Sequence, residues 1–550
     1  MSDRWYQKAV VYCLDVDTFQ DSDGDGVGDL RGLIGRLDYL ARLGVTCLWL
    51  HPIHPTPGHD DGYDATDFYG IDPRIGTLGD FAELLHQADD RGIRVIIDLV
   101  VNHTSDEHPW FRSARSSPDS PYRDWFVWSE TEPADRKQGM VFPGEQDETW
   151  TYDRTAKAWY YHRFYTFQPD LNFANPAVRA EIKRVMAFWL QLGVSGFRID
   201  ALPFIAELTE PGNPDSPKDF GLVTELRQHA QWRRGDAVLL AEANVEPNQL
   251  VSYFGSGGDA NDRVQMLFDF MLNGRLVLAL AREDPEQLVD ALRDTPQLPP
   301  GGQWATFIRN HDEIDLSRLT TEQRGEVYAA FGPDEDMRLY DRGIRRRLAP
   351  MLGNDRRRLE LAYSLQFSLR GTPVLRYGEE IGMGEDLSLK GRFAIRTPMQ
   401  WSTLPNAGFS TAAPDQVIRP VVSGGDHGYE RVNVTAQRHD PKSLLAWFER
   451  MIRTLREAPE VGAGSCTHVD VPVPTGVLAH RADGTAGCML FVHNLGRKPA
   501  TVDLSKLAPE ADQPNDVLAD QEYPEVGDLS EIKVAGYGYR WIRLNRAPAG

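Results

Sequence analysis

The stretch Gly196–Phe197–Arg198–Ile199–Asp200–Ala201 (GFRIDA) ends an apolar run with a basic and an acidic side chain. Arg198 and Asp200 are two residues apart, and on an extended strand such residues point to the same face. A carboxylate beside a permanent cation stays ionised, which a nucleophilic carboxylate requires. A plain ion pair on a strand has the same pattern, so this hexapeptide alone leaves a structural and a catalytic role equally open.

Similar apolar segments recur along the chain and alternate with amphipathic helical patterns at Leu30–Leu43, Asp80–Arg91 and Pro176–Leu192. This alternation predicts an α/β fold built on a parallel (β/α)8 (TIM) barrel. Several strands turn polar at their carboxyl ends (DLVVNH, GFRIDA, LLAEAN, FIRNHD), where barrel enzymes carry their chemistry. A network that only stabilises strand ends is the alternative. The predicted strands are Ala9–Phe19, Thr46–Ile53, Arg94–His103, Gly196–Pro203, Ala237–Asn244, Val264–Met271, Trp304–Asp312 and Gly371–Glu380.

The barrel pattern is interrupted twice. Residues 105–173 are too many for a simple connection and too aromatic for a disordered one, so they predict an inserted subdomain after strand 3. Residues 315–354 are charged and helix-forming, and they predict a lid-like excursion over the barrel mouth. From residue 459 short alternating runs predict a C-terminal antiparallel β-domain. The predicted domains are 1–104 and 174–458 for the barrel, 105–173 for the subdomain and 459–550 for the β-domain.

Composition restricts the class of function. The chain of 550 residues is too long for a single core, and its formal net charge of −22 argues against nucleic acid, which needs a basic surface. An acidic surface is compatible with a neutral substrate such as a sugar. The sequence has no cleavable apolar leader and no 18-residue apolar span, so we expect a cytoplasmic protein without a membrane partner. Cys13 and Cys47 lie in apolar runs and are expected to be free buried thiols. Self-association into a homo-oligomer is left open.

Three carboxylates lie at the ends of three different predicted strands: Asp200, Glu242 and Asp312. Retaining glycoside hydrolysis uses one carboxylate as nucleophile and another, about 5–5.5 Å away, as proton donor. Asp200, beside Arg198, suits the nucleophile. Glu242 follows the apolar run AVLLAEAN, where partial desolvation raises the pKa and keeps a proton available. Asp312 suits a group that holds sugar hydroxyls more tightly in the transition state than in the ground state.

Two histidines, His103 and His311, also end strands and can donate hydrogen bonds to hydroxyl groups. A single histidine at a strand end is more often structural. Two of them beside three carboxylates favour a binding site.

The segment after the first strand has acidic residues at alternate positions with glycines between them. Oxygen ligands at this spacing suit a hard cation that takes six to eight of them. The segment is not an EF-hand, because its twelfth position is a glycine rather than a bidentate glutamate. An acidic turn without metal is the alternative, but clustered carboxylates repel one another unless something neutralises them. We expect calcium here, bound by Asp21, Asp23, Asp25, the Val27 carbonyl and Asp29.

Four of these blocks, DLVVNH, GFRIDA, AEAN and RNHD in this order, resemble the conserved blocks of the α-amylase superfamily (glycoside hydrolase family 13). The resemblance extends from about Trp5 to about Leu455. Within the superfamily the chain most resembles the maltose α-glucosyltransferases that isomerise maltose to trehalose. The motifs that carry this closer likeness are DDGYD (60–64), NHTSDEHPWF (102–111), HRFYTFQPDLN (162–172), LLAEAN (239–244), FIRNHDE (307–313), GIRRRLAPMLGNDRRR (343–358), EEIGMG (379–384) and RTPMQW (396–401).

The resemblance implies a small α-glucoside as substrate, no organic cofactor, and the same three roles for the carboxylates. It also implies that the reacting glucose is surrounded by Asp60, Tyr63, His103, Arg198, His311 and Arg396. Tyr63 would stack on the sugar ring, and packing within a loop is its alternative role. A second calcium site is implied, with Asn102, Asp170, Glu207 and the Phe204 and Ile205 carbonyls as ligands. The alternative role of Asn102 is that of a hydrogen-bonding neighbour of the catalytic strand ends.

Two segments depart from the pattern of the resembling enzymes. HPIHPTPGHDD carries His51, His54 and His59 where those enzymes are more apolar, and YCLDVDTF carries Asp15 and Asp17 near a histidine and an arginine of theirs. Both segments are expected near the leaving-sugar side of the pocket. The alternative functions are therefore an α-glucosidase or transglucosidase acting on maltose, sucrose or short α-glucosides. A catalytically dead binding subunit is a further alternative, although all three carboxylates are present.

Overall fold

The computed structural model describes residues 4–142, 144–207, 218–257, 260–462, 465–467, 472–484, 487–508 and 512–545. Its centre is a closed barrel of eight parallel strands, each paired with its neighbours in chain order. The predicted (β/α)8 barrel is thus confirmed, and each strand falls inside a segment predicted from the sequence, except that the seventh begins one residue earlier, at Gln303. The strands, labelled within the barrel, are β1 Val11–Leu14, β2 Cys47–Leu50, β3 Arg94–Leu99, β4 Gly196–Ile199, β5 Val238–Ala241, β6 Met266–Phe268, β7 Gln303–Thr306 and β8 Thr372–Arg376.

Alternation along each strand separates two apolar layers. In β1, Val11 and Cys13 belong to the cluster that fills the barrel, whereas Tyr12 and Leu14 belong to the larger cluster formed with the helices. Successive side chains of a strand point to opposite faces, so one short apolar run supplies both layers. Cys13 and Cys47 are free and buried, as the sequence indicated.

The helices of the described chain include the predicted one at Pro176–Leu192, which begins at an Asn175 cap and ends before Gly193. The pattern at Leu30–Leu43 instead forms two helices that meet at Arg36. Arg36 binds Gln20 and lies 4.0 Å above the Trp401 ring, so tertiary contacts hold it out of a continuous helix. The helices are Leu30–Gly35, Leu37–Leu43, Leu78–Asp89, Pro109–Ser116, Pro176–Leu192, Leu202–Ile205, Phe220–Arg233, Pro247–Phe254, Phe270–Arg282, Glu286–Asp294, Thr321–Phe331, Leu348–Met351, Arg356–Ser368, Val434–Arg438 and Leu444–Arg456.

Three parts of the chain outside the barrel form antiparallel sheets. The insertion after β3 carries a three-stranded sheet of Trp128–Ser129, Trp150–Asp153 and Ala158–Tyr161. The excursion after β7 carries a small sheet of Ile314–Asp315, Arg338–Leu339 and Gly343–Ile344. The C-terminal part forms the predicted antiparallel sheet, from Ser465–Thr467, Val477–Asp483, Gly487–Asn494, Asp512–Ala519 and Tyr539–Asn545, beside the strand pair Ala500–Val502 and Ile532–Val534.

Membrane insertion finds no support in the helices. Among the residues that the structure describes, none of the helices combines the length and the apolar character that a membrane crossing requires.

Candidate active site

Asp200 and Glu242 follow the adjacent strands β4 and β5, and a single guanidinium joins them. Arg198, in β4, places Nη1 2.5 Å from Asp200 Oδ1, while its Nη2 contacts Glu242 Oε2. The backbone N–H of Glu242 donates to the Ile199 carbonyl of β4, which continues the strand pairing to the carboxylate. The sequence pattern that placed Arg198 and Asp200 on one face therefore describes their real arrangement, and Glu242 joins them there.

A third carboxylate, Asp98 in β3, also binds Arg198, with Oδ1 3.2 Å from Nη1. The strands β3 and β4 are in a register that puts Asp98 directly beside Arg198. Asp98 also accepts a hydrogen bond of 2.9 Å from the Tyr63 hydroxyl. Sequence reasoning missed this residue, although an aspartate inside the apolar run VIIDLVV was a usable signal.

The turn after Asp200 has strained backbone. Ala201 has a φ of 51°, in the left-handed region that residues with a side chain seldom adopt. Conformations of this kind persist where surrounding structure imposes them, and they cluster at functional sites. Here the turn ends β4 immediately after the nucleophile candidate and begins the short helix Leu202–Ile205.

Burial raises the pKa of Glu242 to about 8, because the loss of water outweighs the attraction of Arg198, and the nearby Asp200 raises it further. A carboxyl group with this pKa is mostly protonated at neutral pH, which is the state that a general acid needs. For Asp312, burial alone would raise the pKa, but the cations of Arg392 and Arg396 prevail and hold it below its usual value. The surroundings therefore keep Glu242 protonated, as an acid, and keep Asp312 ionised.

Two guanidinium groups contact the Asp312 carboxylate. Arg392 Nη1 lies 2.9 Å and Arg396 Nη2 3.2 Å from Asp312 Oδ1. Arg396 is buried, and its other contacts are with Asp61, at 2.8 Å, and with the His311 carbonyl. Arg392, which the sequence did not single out, lines the main cavity, whereas Arg396 lies behind Asp312 and borders a smaller pocket beside Asp60. Arg396 thus reaches the site through Asp312.

The predicted hydroxyl-binding residues form one hydrogen-bonded group. Tyr63 contacts His311 Nε2 at 2.7 Å through its hydroxyl, and its carbonyl oxygen lies 2.8 Å from His103 Nε2. Burial lowers the pKa of both histidines, so both are neutral at pH 7. Asp60 accepts a 2.8 Å hydrogen bond from Gln168, and burial raises its pKa to about 7.

These residues line one cavity of about 550 Å3, within the range of small-molecule sites. The cavity contains Asp60, Tyr63, His103, Asp200, Glu242, His311 and Asp312 together. Phe142, from the insertion, lines this cavity and stacks on Tyr340 of the excursion, with ring centroids 4.6 Å apart. The Arg392 guanidinium lies 5.1 Å from the Phe142 ring and 5.3 Å from the Tyr340 ring. We call Phe142, Tyr340 and Arg392 the mouth cluster.

The acidic loop after β1 brings three of its carboxylates together. Oxygens of Asp21, Asp23 and Asp29 lie within 4.8 Å of one another. The Asp25 carboxylate instead accepts a 2.8 Å hydrogen bond from the Val27 N–H and is not part of this group. Asp29 also caps the helix Leu30–Gly35 through the Gly32 N–H. The group therefore offers three carboxylates, oxygen donors of the kind that calcium takes, and Asp25 lies outside it.

The residues implied for a second calcium site surround an arginine. Asp170 accepts hydrogen bonds from the Asn102 side chain and, at 2.9 Å, from the Arg163 N–H. Glu207 is paired with the Arg163 guanidinium and with Lys218. These two cations already neutralise Glu207, so calcium would have to displace at least one of them. Phe204 lies 4.2 Å from the Arg163 guanidinium and is part of the same arrangement.

Comparison with known proteins agrees with this geometry. Residues 14–330 and 344–464 match the family "Alpha amylase, catalytic domain". The chain belongs to the α-amylase family, which confirms the resemblance inferred from its motifs. The chain is 40% identical to the trehalose synthase of Pimelobacter sp. (strain R48), covering 98% of this chain and 96% of that protein.

Two further comparisons, with proteins of lower identity, support membership of this family. The chain is 33% identical to the oligo-1,6-glucosidase of Parageobacillus thermoglucosidasius, over 82% of this chain and 84% of that protein. The crystal structure of the α-amylase from H. orenii superposes with a TM-score of 0.78 at 27% identity, covering 98% of this chain and 99% of that one.

Proposed function

We propose that the protein is a retaining α-glucosyltransferase that isomerises maltose, an α-1,4 disaccharide, to α,α-1,1-linked trehalose. The observation that carries this proposal is the single guanidinium of Arg198 that holds Asp200 and Glu242 together at one wall of a 550 Å3 cavity. The similarity to the Pimelobacter trehalose synthase over nearly the whole of both chains supports the choice of reaction.

In the first step, an Asp200 oxygen attacks the anomeric carbon as Glu242 transfers its proton to the glycosidic oxygen. The bond between the two sugars breaks, glucose leaves, and the remaining glucosyl unit is esterified to Asp200. In the second step, ionised Glu242 removes the proton from the anomeric hydroxyl of the same glucose. That oxygen attacks the glucosyl ester and releases Asp200 as a carboxylate. Two inversions retain the α configuration.

Arg198 and Asp312 supply the electrostatic part of this mechanism. Arg198 carries a permanent positive charge beside Asp200. It therefore stabilises the carboxylate form of Asp200 when the glucosyl ester is broken in the second step. Asp312, held ionised by Arg392 and Arg396, is placed to accept hydrogen bonds from sugar hydroxyls as positive charge develops on the ring.

Water is the competing acceptor, and its entry would make the enzyme an α-glucosidase. An α-glucosidase is the second candidate function, because the chain is also similar to the Parageobacillus oligo-1,6-glucosidase. We infer that the mouth cluster favours isomerisation by hindering the entry of water and the escape of glucose, because Phe142 and Arg392 line the cavity and Tyr340 packs against both.

The products formed from maltose test the proposal. The purified enzyme is incubated with maltose, and the anomeric protons of trehalose, maltose and glucose are followed by NMR. We expect trehalose to exceed free glucose from the first time points onward. Glucose as the main product at all times would replace the isomerase with the glucosidase, and no consumption of maltose, sucrose or trehalose would contradict both.

We also propose that the acidic loop binds calcium through Asp21, Asp23 and Asp29, with the Val27 carbonyl as a further ligand. The close approach of three carboxylates supports it, since their mutual repulsion is relieved by a divalent cation. Such an ion would be structural, because the loop joins β1 to the helix that begins at Leu30. A second ion at Asp170 and Glu207 is the weaker proposal, and calcium-dependent release of Arg163 would be its signature.

A further inference from the structure

A second cavity, of about 330 Å3, lies beside the active site on the far side of Asp61. Asp15, Asp17 and His51 line it, and they come from the two sequence segments that depart from the resembling enzymes. None of these three residues lines the main cavity, so the expectation that they lie at the leaving-sugar side is not what the structure has. We call this space the second cavity.

Charged groups of both signs line the second cavity. Its carboxylates are Asp15, Asp17, Asp61 and Asp72, and its guanidinium groups are Arg74 and Arg419. The carboxylates outnumber the guanidinium groups and would repel an anionic ligand. The two guanidinium groups would repel a cationic one. A neutral molecule rich in hydroxyl groups suits both, because each hydroxyl can donate to a carboxylate and accept from a guanidinium.

Two polar side chains of the second cavity, the buried His51 and the partly exposed Asp17, have unused hydrogen-bonding capacity. His51 is 3% exposed, its Nδ1 faces Asp15, and its Nε2 has no hydrogen-bond partner among the described residues. The ion pair of Asp17 with Arg419 spans 3.7 Å, which is longer than a hydrogen bond. The Nε2 atom of His51 has no exposed surface and cannot reach a ligand, whereas a ligand hydroxyl beside Asp17 would supply the hydrogen bond that Arg419 is too far away to make.

The remaining wall is apolar and suits the carbon face of a sugar ring. It is formed by Val16, Pro52, Ile75, Leu389, Phe393, Ile418 and Pro420. Small-molecule sites typically combine such walls with a few polar groups, in volumes of about 300–1,000 Å3. The volume of the second cavity falls at the lower end of that range, which fits one sugar ring rather than a disaccharide.

We propose that the second cavity is a binding site for a neutral monosaccharide or polyol, separate from the catalytic cavity. A bound ring would accept from Arg419 and donate to Asp17. The site is linked to catalysis by a chain of ion pairs, because Asp61 contacts both Arg419 and Arg396, and Arg396 contacts Asp312.

The test uses glucose as the probe and the whole enzyme with its catalytic cavity filled. Methyl 4-thio-α-maltoside, a maltose analogue whose sulfur linkage resists cleavage and which occupies both sugar positions, is first titrated calorimetrically to saturation, and glucose is then titrated into the complex. We expect one further glucose site per chain. Absence of glucose binding to the saturated enzyme would overturn the proposal.

Variants assign the signal to the second cavity. Asp17→Leu, similar in size, removes the acceptor oxygens and should weaken the second glucose site at least tenfold, and Asp17→Asn should weaken it less. The control Asp415→Asn changes an exposed residue of the loop that carries Arg419 and should leave both titrations unchanged. Unaltered glucose binding in both Asp17 variants would overturn the assignment. A failure of the thiomaltoside to bind would contradict the catalytic site instead, and the Asp17 variants would still report on glucose.

Discussion

Raising the pH above 8 is expected to slow the attack on maltose, because Glu242 then loses the proton that it must deliver to the leaving oxygen. Burial places the pKa of this group at about 8, against an ordinary value of 4.5. At pH 7 the protonated form then exceeds the ionised form by about ten to one, and at pH 9 the ratio is reversed. With the ordinary pKa, only about one molecule in 300 would carry the proton at pH 7.

The assay is kcat/KM for maltose between pH 5 and pH 10, measured from initial rates. We expect a fall of about tenfold between pH 7 and pH 9. A control separates Glu242 from other groups that titrate nearby, such as Asp60, whose pKa burial raises to about 7. α-Glucosyl fluoride needs no proton on its leaving group, so kcat/KM for this substrate should lack the alkaline fall. A profile for maltose that is flat to pH 9, or an equal fall for the fluoride, would refute the assignment of Glu242 as the acid.

The remaining predictions concern the nucleophile, the mouth cluster and the metal. Asp200→Asn should abolish turnover of maltose while the circular dichroism spectrum stays unchanged, and appreciable residual activity would point to another nucleophile. Phe142→Ala should raise the ratio of glucose to trehalose several-fold by admitting water. The control Trp232→Ala, on an exposed helix face, should not change this ratio. An unchanged ratio in Phe142→Ala would show that the mouth cluster does not exclude water. Chelation of calcium should lower the melting temperature, and added calcium should restore it. Asp21→Asn should make the melting temperature insensitive to chelator, and a wild-type transition that ignores metal removal would show that the acidic loop binds none.

Much of the fold could be read from the sequence because barrel strands are short apolar runs that end in polar residues. β4, for example, is recognisable from GFRIDA alone, and its pairing with β5 follows from their being consecutive strands of a closed barrel. What the sequence did not yield was the side-chain arrangement across strands. Asp98 pairs with Arg198 through strand register, and such a pairing between residues a hundred positions apart leaves no local pattern.

The arginine near Asp312 illustrates the same limit. Arg392 and Arg396 lie on one short helical turn and its end, at Gly391–Ile395, and only their three-dimensional placement decides which one faces the cavity. The second cavity also escaped prediction, because it forms where β1, β2 and a loop near residue 419 meet. The sequence marked the unusual residues of two of these segments but not their common location.

Arg198 constrains how this enzyme can be redesigned. Its planar guanidinium serves acidic groups from three successive strands, and a lysine ammonium, being a single point of charge, has no geometry that reaches all of them. Substitution at this position therefore disturbs three side chains at once and offers no gradual route to a new specificity. Loop exchange at the insertion or the excursion leaves the guanidinium untouched. Libraries aimed at new acceptors are best confined to those loops.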